Sequence, residues 1–532
     1  MSTTVTPYQS TVPPARDNFA QLALAEFTKL RTVRGWVAGL VVGALLILGI
    51  GYLSAAGSSR SCSPASGAAN GPASGPASGP ASGGGCGSGT PTLGPGGEPV
   101  TDSLSFVHQQ LDGDGSVTAR VTSLLERLPS DGGGGSPQPV VEPWAKAGLI
   151  VRASTTQGSP YAAVMATATH GVRMQYNYTK DIAGSPTTVS KTSPEWLRLS
   201  RSGDTLTGYE SADGQSWTKI GVATLSGLPA SVPVGLFVAS PDHDVTTEEV
   251  VGTSTEGGPS MATASFDDVS LQGSASGGWQ GTQIGYSASD TPNTFIQSGG
   301  TFAVTGSGDI GPMASSGGDN NTISGSLIGA FVGLMAMVVI GALFITSEYR
   351  RGLIRTTLTA SPRRSRVLAA KAVVVACVVF VLGLAASAFT MWFVDRLRRN
   401  NGTYIQPASS FTEIRVLVGT AAVLAVAAVL ALAIGTIVRR SAAAVSAVIV
   451  LTVLPYILGV SSIGALQWML RVTPAAGFAV QQTLHQYPQV DGVYIASAGY
   501  YPLSPWAGFG VLLAWTALAL GLAVVLLRKR DA

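Results

Sequence analysis

The sequence predicts a membrane protein with an all-α bundle of six transmembrane helices and an all-β, jelly-roll-like extracytoplasmic sandwich inserted between the first two helices. Three observations predict this fold class. The 532-residue chain is 45% hydrophobic and only 11% charged, with a mean hydropathy of +0.33, which is typical of integral membrane proteins. Six uncharged apolar stretches are each about 20 residues long, enough to cross a bilayer. Between the first two stretches, apolar and polar residues alternate as in β-strands.

The apolar stretches define the organisation of the chain. The predicted spans are residues 35–56, 322–347, 372–394, 416–438, 442–460 and 506–527. The first span begins after residue 34 and lacks a small-residue cleavage site, so we expect it to be retained. The other predicted segments are a tail with an amphipathic helix (1–34), a linker (57–97), the sandwich (98–275), a second linker with room for an extra strand (276–321), a coupling elbow (348–371), two outer loops (395–415 and 461–505) and a tail (528–532).

The distribution of Lys and Arg predicts the orientation of the spans. Four basic clusters fall on one side of a six-span arrangement: Lys29, Arg31 and Arg34; Arg350, Arg351, Arg355, Arg363, Arg364, Arg366 and Lys371; Arg439 and Arg440; Arg528, Lys529 and Arg530. The positive-inside rule places that side in the cytoplasm. We therefore expect a multi-pass plasma-membrane protein with both termini cytoplasmic and the β domain extracytoplasmic. Arg396, Arg398 and Arg399 oppose this pattern.

The first linker is rich in Gly, Ser, Pro and Ala, a composition that cannot bury a core and predicts a flexible tether. It contains Cys62 and Cys86. An extracytoplasmic disulfide between them is one expectation, because that compartment can be oxidising, and two free thiols are the other.

The region that follows the linker has the pattern of antiparallel strands. Alternating segments occur at 103–108, 116–121, 147–152, 161–166, 171–176 and 196–200. Turn signals separate them, as a sandwich requires. Asp112 and Asp114 have part of the spacing of a calcium loop, but its closing Glu is missing, so a turn between two strands is favoured. The four histidines show no metal-ligand spacing, and we predict no metal site.

Several phrases in this region resemble the concanavalin A-like lectin and glucanase superfamily. They are Gly113-Asp-Gly-Ser-Val-Thr-Ala-Arg-Val, Trp144-Ala-Lys-Ala-Gly-Leu-Ile-Val-Arg, Trp196-Leu-Arg-Leu-Ser-Arg-Ser-Gly and Ser211-Ala-Asp-Gly-Gln-Ser-Trp. The resemblance implies that Gly300-Thr-Phe-Ala-Val-Thr supplies a missing strand in permuted order. Trp144, Trp196, Tyr209 and Trp217 could stack on the sugar rings of a cell-wall glycan, with core packing as the alternative. The clustered carboxylates of glycosidase relatives are absent from the sequence.

The spans contain no ionisable residue at their centres, which argues against a proton-coupled carrier or a channel lined by charged rings. The sequence has no Gly-x-x-x-x-Gly-Lys-Ser/Thr phosphate loop, so we expect no cofactor in this chain, with ATP and Mg bound by a partner subunit. No basic, aromatic-interleaved patch indicates nucleic acid.

Two segments on the predicted cytoplasmic side have the features of a binding site for such a partner. Residues 18–34 predict a helix, with Asn18 and Gln21 in capping-box spacing and an apolar stripe interrupted by Glu26. Glu26 either finds a partner charge or stays solvated at the edge of the stripe. In the second segment, Ser361 and Pro362 predict the start of the third span's helix after a short Arg-rich elbow.

These two segments resemble actinobacterial permeases of the ABC-2 type. The phrases are Ala25-Glu-Phe-Thr-Lys-Leu-Arg-Thr-Val-Arg and Thr346-Ser-Glu-Tyr-Arg-Arg-Gly-Leu-Ile-Arg-Thr-Thr-Leu. The resemblance implies a non-enzymatic permease subunit of an exporter that forms a homo- or heterodimer in the bilayer and binds a cytosolic ABC ATPase. The residues implied in ATPase coupling are Glu26, Lys29, Arg31, Glu348, Tyr349, Arg350, Arg351 and Gly352. It also implies short helices in the last outer loop.

Two other functions stay open at the level of sequence. A membrane-tethered sensor of glycans would need the β domain but only one span as an anchor. A membrane enzyme acting on lipid-linked sugars would need acidic or His residues at the outer face, where Asp395, Glu413 and His485 are the candidates.

Overall fold

The computed structural model describes residues 18–56, 91–127, 142–190, 193–248, 253–258, 260–285, 295–313, 322–354, 356, 363–460, 466–490, 494–496 and 499–529. The chain forms a helical bundle and a large antiparallel β domain. The β domain lies between the first and second apolar helices along the chain. We call the end of the bundle that contacts it the β end, and the opposite end the arginine end.

The described residues form eight α-helices, six of which correspond in order to the predicted spans. They are α1 (Phe19–Thr32), α2 (Arg34–Ala56), α3 (Gly329–Arg350), α4 (Arg364–Asn400), α5 (Ser410–Val438), α6 (Ser441–Val460), α7 (Met469–Val472) and α8 (Pro505–Lys529), with 3-10 helices at Ser324–Leu327 and Pro474–Gln481. Six of them, α2, α3 with its preceding 3-10 turn, α4, α5, α6 and α8, are long and apolar enough to cross a membrane. The short helices α7 and Pro474–Gln481 lie in the predicted last outer loop.

The bundle is packed around α5, most of whose residues are buried. Small residues allow the closest approach of its neighbours. A Cβ added to Gly341 of α3 would collide with the backbone carbonyl of Ala428 of α5. Such contacts between small residues are how helices in a membrane approach closely enough to gain packing energy.

The third span is longer than predicted, because α4 has 37 residues and extends beyond 372–394 at both ends. The prediction stopped at charged residues that remain helical. At the β end, Arg398 is buried and donates to Ser326 Oγ at 3.4 Å and to Ser54 Oγ at 3.1 Å. Asp395, one turn earlier, accepts from Ser326 at 2.6 Å. This polar packing accommodates Arg398, whereas Arg396 and Arg399, which also oppose the charge pattern, are exposed.

The β domain contains the strands β1 (Val100–Asp102), β2 (Leu104–Arg127), β3 (Lys146–Arg152), β4 (Tyr161–Thr167), β5 (Val172–Tyr176), β6 (Lys180–Ala183), β7 (Glu195–Ser202), β8 (Thr205–Ser211), β9 (Thr218–Thr224), β10 (Ser231–Ala239), β11 (His243–Glu248), β12 (Thr253–Gly258), β13 (Met261–Ile284), β14 (Phe295–Ser298), β15 (Thr301–Gly306) and β16 (Ile310–Pro312). All of their pairings are antiparallel.

Two strands of 24 residues, β2 and β13, pair with each other along most of their length. The first half of β2 also pairs with β10, which continues the sheet through β3, β4, β5 and β6. Its second half pairs with β7, followed by β8 and β9. The sheet therefore branches at β2 and folds over, so that β3 to β5 contact β7 to β9. Their facing side chains, including Leu149, Val164, Leu197 and Leu206, form one apolar core.

The predicted boundary between the sandwich and the second linker, at residue 275, is wrong because it falls inside β13. β13 runs on to Ile284, and β14, β15 and β16 follow within the remainder of that segment. Gly273 and Gly277 have positive φ, and the register of β13 shifts beside both, which breaks the alternation that identifies a strand. Residues 301–306 form β15 and pair with 262–266 of β13. At the end of the first predicted linker, Leu93 forms a bridge with Pro99.

A buried polar network fixes one edge of the β domain. Arg152 donates to Asp102 with both terminal nitrogens, at 2.9 and 2.6 Å, and both side chains are fully buried. Asp102 also accepts from the Tyr178 hydroxyl and the Gly158 amide, both at 2.8 Å. With these four hydrogen bonds, the buried carboxylate is well satisfied.

The β domain contacts the bundle at the last outer loop, and a cavity lies between the two at the loop that joins α4 and α5. Gln489 in the last outer loop donates to the Tyr178 carbonyl at 3.4 Å. A cavity of about 580 Å³ separates Leu93 and Gly97 from the loop between α4 and α5. Asp395 and Glu413 line this cavity, whereas His485 is exposed elsewhere. The three candidates for an enzyme at the outer face therefore do not converge on one site.

Candidate functional site

Four ionisable side chains meet at the arginine end of the bundle, where α1, α3 and α4 converge. They are Glu26 and Lys29 of α1, Glu348 of α3 and Lys371 of α4, and we call them the charge cluster. Lys371 is fully buried, and Glu26 and Glu348 are 1% and 4% exposed. Almost no solvent therefore reaches three of the four charges.

The cluster is a closed ring in which cations and anions alternate. Lys371 Nζ donates to Glu26 Oε2 at 2.7 Å and to Glu348 Oε1 at 2.6 Å. Lys29 Nζ donates to Glu26 Oε1 at 3.0 Å and to Glu348 Oε1 at 3.3 Å. Two ammonium groups thus balance two carboxylates. This balance allows the burial, because an unpaired charge in a low-dielectric interior is costly.

Helix α1 is positioned so that its charged residues face the bundle. Its first turn is capped by Asn18, whose side chain accepts from the Ala20 amide at 3.3 Å. Glu26 and Lys29 are three residues apart on one face, where Leu30 is buried beside them. The buried face of α1 is thus centred on Glu26 and Leu30. The predicted apolar stripe is only partly buried, since Phe19 remains 40% exposed.

The environment of the cluster favours the charged form of Lys29. Burial lowers the pKa of the Lys29 ammonium, but hydrogen bonds and charge interactions with Glu26 and Glu348 outweigh burial and raise its pKa above 10.5. Lys371 Nζ also lies 4.9 Å from the centre of the Phe344 ring, a cation–π contact. Glu348 Oε2 is buried and has no hydrogen-bond partner among the described residues. The second oxygen of this carboxylate therefore depends on its charged neighbours alone.

The elbow beside the cluster begins with a sharp end to α3. Arg351 donates its amide to the Ser347 carbonyl at 3.1 Å, and Gly352 donates to the Tyr349 carbonyl at 3.3 Å. Gly352 has φ +70°, a left-handed conformation that favours glycine at the end of a helix. Arg350, Arg351 and Gly352 are exposed, so a basic surface lies directly outside the buried cluster.

The structure brings together three of the eight residues implied in coupling, Glu26, Lys29 and Glu348. Tyr349 packs instead under the guanidinium of Arg439, 5.1 Å from its ring centre. The remaining four, Arg31, Arg350, Arg351 and Gly352, are exposed at the same end. Ser361 and Pro362 lie outside the described residues.

Sequence reasoning missed Lys371, which joins the two coupling segments. A detectable signal existed, because Lys371 has apolar residues on both sides, Val367 to Ala370 before it and a long apolar run after it. A lysine in that context requires a carboxylate partner if the apolar residues around it are buried. Glu26, which interrupts the stripe of α1, was one such carboxylate.

The tryptophans proposed to stack on glycans mostly have ring faces that are covered by other side chains. Trp144 is 2% exposed and stacks on His170 with ring centres 3.9 Å apart, so it is a core residue. Trp196 packs between Arg120, 5.5 Å from its ring centre, and Gly214.

The other two aromatic candidates lie around one arginine. The Arg198 guanidinium lies 3.9 Å from the ring centre of Trp217, and Tyr209 is the cross-strand partner of Arg198.

Cys62 and Cys86 lie outside the described residues. In the parts of the chain that the structure describes, no group of His, Cys, Asp or Glu is arranged to hold a metal ion.

One family model matches somewhat more than half of the chain. A family model described as "ABC-2 family transporter protein" matches residues 236–532, from within β10 to the last residue. No curated protein matches the chain.

Three solved structures match with low scores. Two of scytalido-glutamic peptidase, with a transition state analog inhibitor and with a peptide-based one, have TM-scores of 0.24 and 0.23 and identities of 12% and 11%. Each match covers 40% of this chain and 100% of the peptidase. A functionally unknown protein from Saccharomyces cerevisiae gives a TM-score of 0.20 at 17% identity, covering 33% and 77%. Similarities this low carry no functional assignment.

Proposed function

Since this chain belongs to the ABC-2 family of transporter proteins, we propose that it is the permease of an exporter and that a separate cytosolic ATPase drives it through the charge cluster. The observation that supports this proposal is the ring of Glu26, Lys29, Glu348 and Lys371, which ties α1 to the ends of two spans. The sequence of this chain contains no phosphate loop, so the ATP and Mg would be bound by the partner.

The ring offers a direct route for force. A partner that moves α1 displaces Glu26 and Lys29, and both contact charged groups on α3 or α4. Lys371 binds carboxylates from α1 and α3 at once, so the two spans and the surface helix would move together rather than separately. Buried charge pairs resist separation because each partner would be left uncompensated. A tilt of α1 would thus become a tilt of α3 and α4, as alternating access requires.

The exposed basic surface is the proposed contact for the ATPase. Arg350 and Arg351 flank the turn at Gly352 and lie outside the buried ring. Complementary charges on a partner would steer its binding there and fix its register.

We place the arginine end in the cytoplasm, with both termini, and the β domain on the outside of the plasma membrane. The positive-inside pattern supports this orientation. We further propose that two permeases pair and that the substrate is amphipathic. For the β domain we propose a concanavalin A-like sandwich, supported by the way its branched sheet folds over on itself.

The coupling proposal can be tested with surface charges, which leaves the buried ring intact. The full-length chain is co-expressed with a candidate ATPase and purified through a tag on the permease alone, and bound ATPase and ATP hydrolysis are measured. We expect the double variant Arg350→Glu and Arg351→Glu to lower the apparent affinity at least about tenfold, because two attractive contacts become repulsive. The matched control is Arg396→Glu with Arg399→Glu, two exposed arginines at the β end.

Equal ATPase recovery with both double variants would contradict the assigned surface. Absence of any association between the wild-type chain and its candidate ATPases would contradict the proposal that a separate motor drives this chain.

A further inference from the structure

A narrow apolar groove opens on the side of the bundle near the β end, between the first turns of α5 and α8. Its volume is about 310 Å³. The residues that form its walls include Phe411, Ile414, Val418, Ala422, Trp506 and Phe509. Phe411, Ile414 and Trp506 are 70%, 60% and 61% exposed. The groove is thus open to the surroundings along one side.

We expect lipid to surround this groove, because α5 and α8 are two of the helices that are long and apolar enough to cross a membrane. From Phe411 to Ala422 the wall of α5 measures about 16 Å at 1.5 Å per residue. That length is about half of the roughly 30 Å hydrocarbon core. The groove therefore has the depth of one leaflet, as a single acyl chain does.

The lining of this apolar groove includes a positively charged side chain, Arg415. Arg415 donates through Nη2 to the Gln482 carbonyl. Its Nε is buried and has no hydrogen-bond partner among the described residues. No carboxylate of the described chain forms a salt bridge with it. An arginine at membrane depth without a counter-charge is expensive, so an anion from elsewhere is the partner it requires.

The helix termini around the groove add to its positive character. Both α5 and α8 begin here, at Ser410 and Pro505, and the start of a helix carries partial positive charge. The combination of a leaflet-deep apolar groove and a cation without a protein counter-charge fits a molecule with a hydrocarbon chain and an anionic head.

We propose that this groove binds one anionic phospholipid from the leaflet on the side of the β domain, with an acyl chain along α5 and its phosphate on Arg415. Charge complementarity selects this occupant. A free phosphate would pair with Arg415 but leave the apolar walls uncovered. A zwitterionic lipid would cover the walls but present a cationic group beside its phosphate. The site does not depend on ATP or on the coupling surface.

The test uses the full-length protein, purified in detergent and stripped of lipid. Phosphatidylglycerol, phosphatidylcholine or inorganic phosphate is added, the melting temperature is followed, and bound lipid is counted by native mass spectrometry. We expect phosphatidylglycerol alone to bind at one per chain and to raise the melting temperature. Arg415→Gln should weaken its binding at least about tenfold, because a charge-assisted contact with the phosphate is lost. The control is Arg396→Gln, an exposed arginine at the same end.

A second variant tests the groove while keeping the charge. Val418 is 41% exposed on the groove wall, so Val418→Trp should fill the groove and displace the lipid with Arg415 in place. If Arg415→Gln does not fold, Val418→Trp still tests whether the lipid binds in the groove. The proposal is overturned if phosphatidylglycerol binds either variant as it binds the wild type. Equal binding of phosphatidylcholine, or equal stabilisation by inorganic phosphate, would overturn it as well.

Discussion

Removing one member of the charge cluster should cost more stability than removing an oppositely charged pair. Lys371 Nζ and Glu26 Oε2 are 2.7 Å apart, and at an effective dielectric constant of about 20 their attraction is about 6 kcal/mol. Desolvation offsets part of this value. Loss of one partner from a buried pair costs about 3–5 kcal/mol, because the other charge stays buried and uncompensated. We expect that cost for Lys371→Met and for Glu26→Gln alone.

The double variant Glu26→Gln with Lys371→Met should cost less than the sum of the two single changes. The double variant leaves Lys29 and Glu348, whose opposite charges still compensate each other because Lys29 Nζ lies 3.3 Å from Glu348 Oε1. The coupling energy should therefore be at least about 2 kcal/mol. It can be measured as a double-mutant cycle by unfolding the protein with SDS in mixed micelles. Arg120→Gln with Asp267→Asn is the matched control, since that pair is 33% and 26% exposed and should couple by about 1 kcal/mol or less.

Additive single costs, or single costs below about 1 kcal/mol, would refute the reasoning. Either result would mean that water or a different conformation compensates the charges of α1, α3 and α4. The cluster could then not join the three helices.

Two predictions concern the β domain. Asp102→Asn leaves Arg152 buried beside a neutral partner and should cost about 3–5 kcal/mol; an unchanged melting temperature would contradict this role of the network that includes Tyr178. Burial, with the Glu210 carboxylate, raises the pKa of Glu195 from 4.5 to about 7. The folded state then holds this proton more tightly than the unfolded state, so stability should fall as pH rises from about 4.5 to about 7. In Glu195→Gln the melting temperature should depend less on pH across that range than in the wild type. An equal dependence on pH in the two proteins would argue against the raised pKa of Glu195.

The six spans were predictable because their signal is local and strong, a run of about 20 apolar residues. Their ends were not, because α4 continues through charged residues that the bundle itself accommodates, as at Arg398. Strands β3, β4, β5 and β7 were predictable from alternation, whereas the turn predicted at Asp112 is wrong, because β2 runs through this position as one strand of 24 residues. The second half of β13 was missed because Gly273 and Gly277 interrupt that alternation and because its pairing partner lies far away in sequence.

The candidate site was predicted in parts but not as a unit. Glu26 and Glu348 were singled out on separate segments, and nothing local relates residues more than 300 positions apart. The contact that unites them depends on Lys371, which at the level of sequence counts only among the basic residues that set the orientation of the spans. A lysine at the end of a span can extend to the membrane surface or bridge buried carboxylates, and its burial distinguishes the two. The burial of Lys371 follows from the packing of α1, which a single sequence does not reveal.

The pairing of β1 with β16 has a consequence for how this protein could have been assembled. Val100 is the register partner of Pro312, so the two ends of a domain of more than 200 residues leave it about 5 Å apart. A short turn could join the same two points. The bundle would then have an ordinary loop between its first two spans, since domain insertions are tolerated where chain ends lie close together. The β domain therefore has the geometry of an insertion, whose two ends could be joined without moving the helices that flank it.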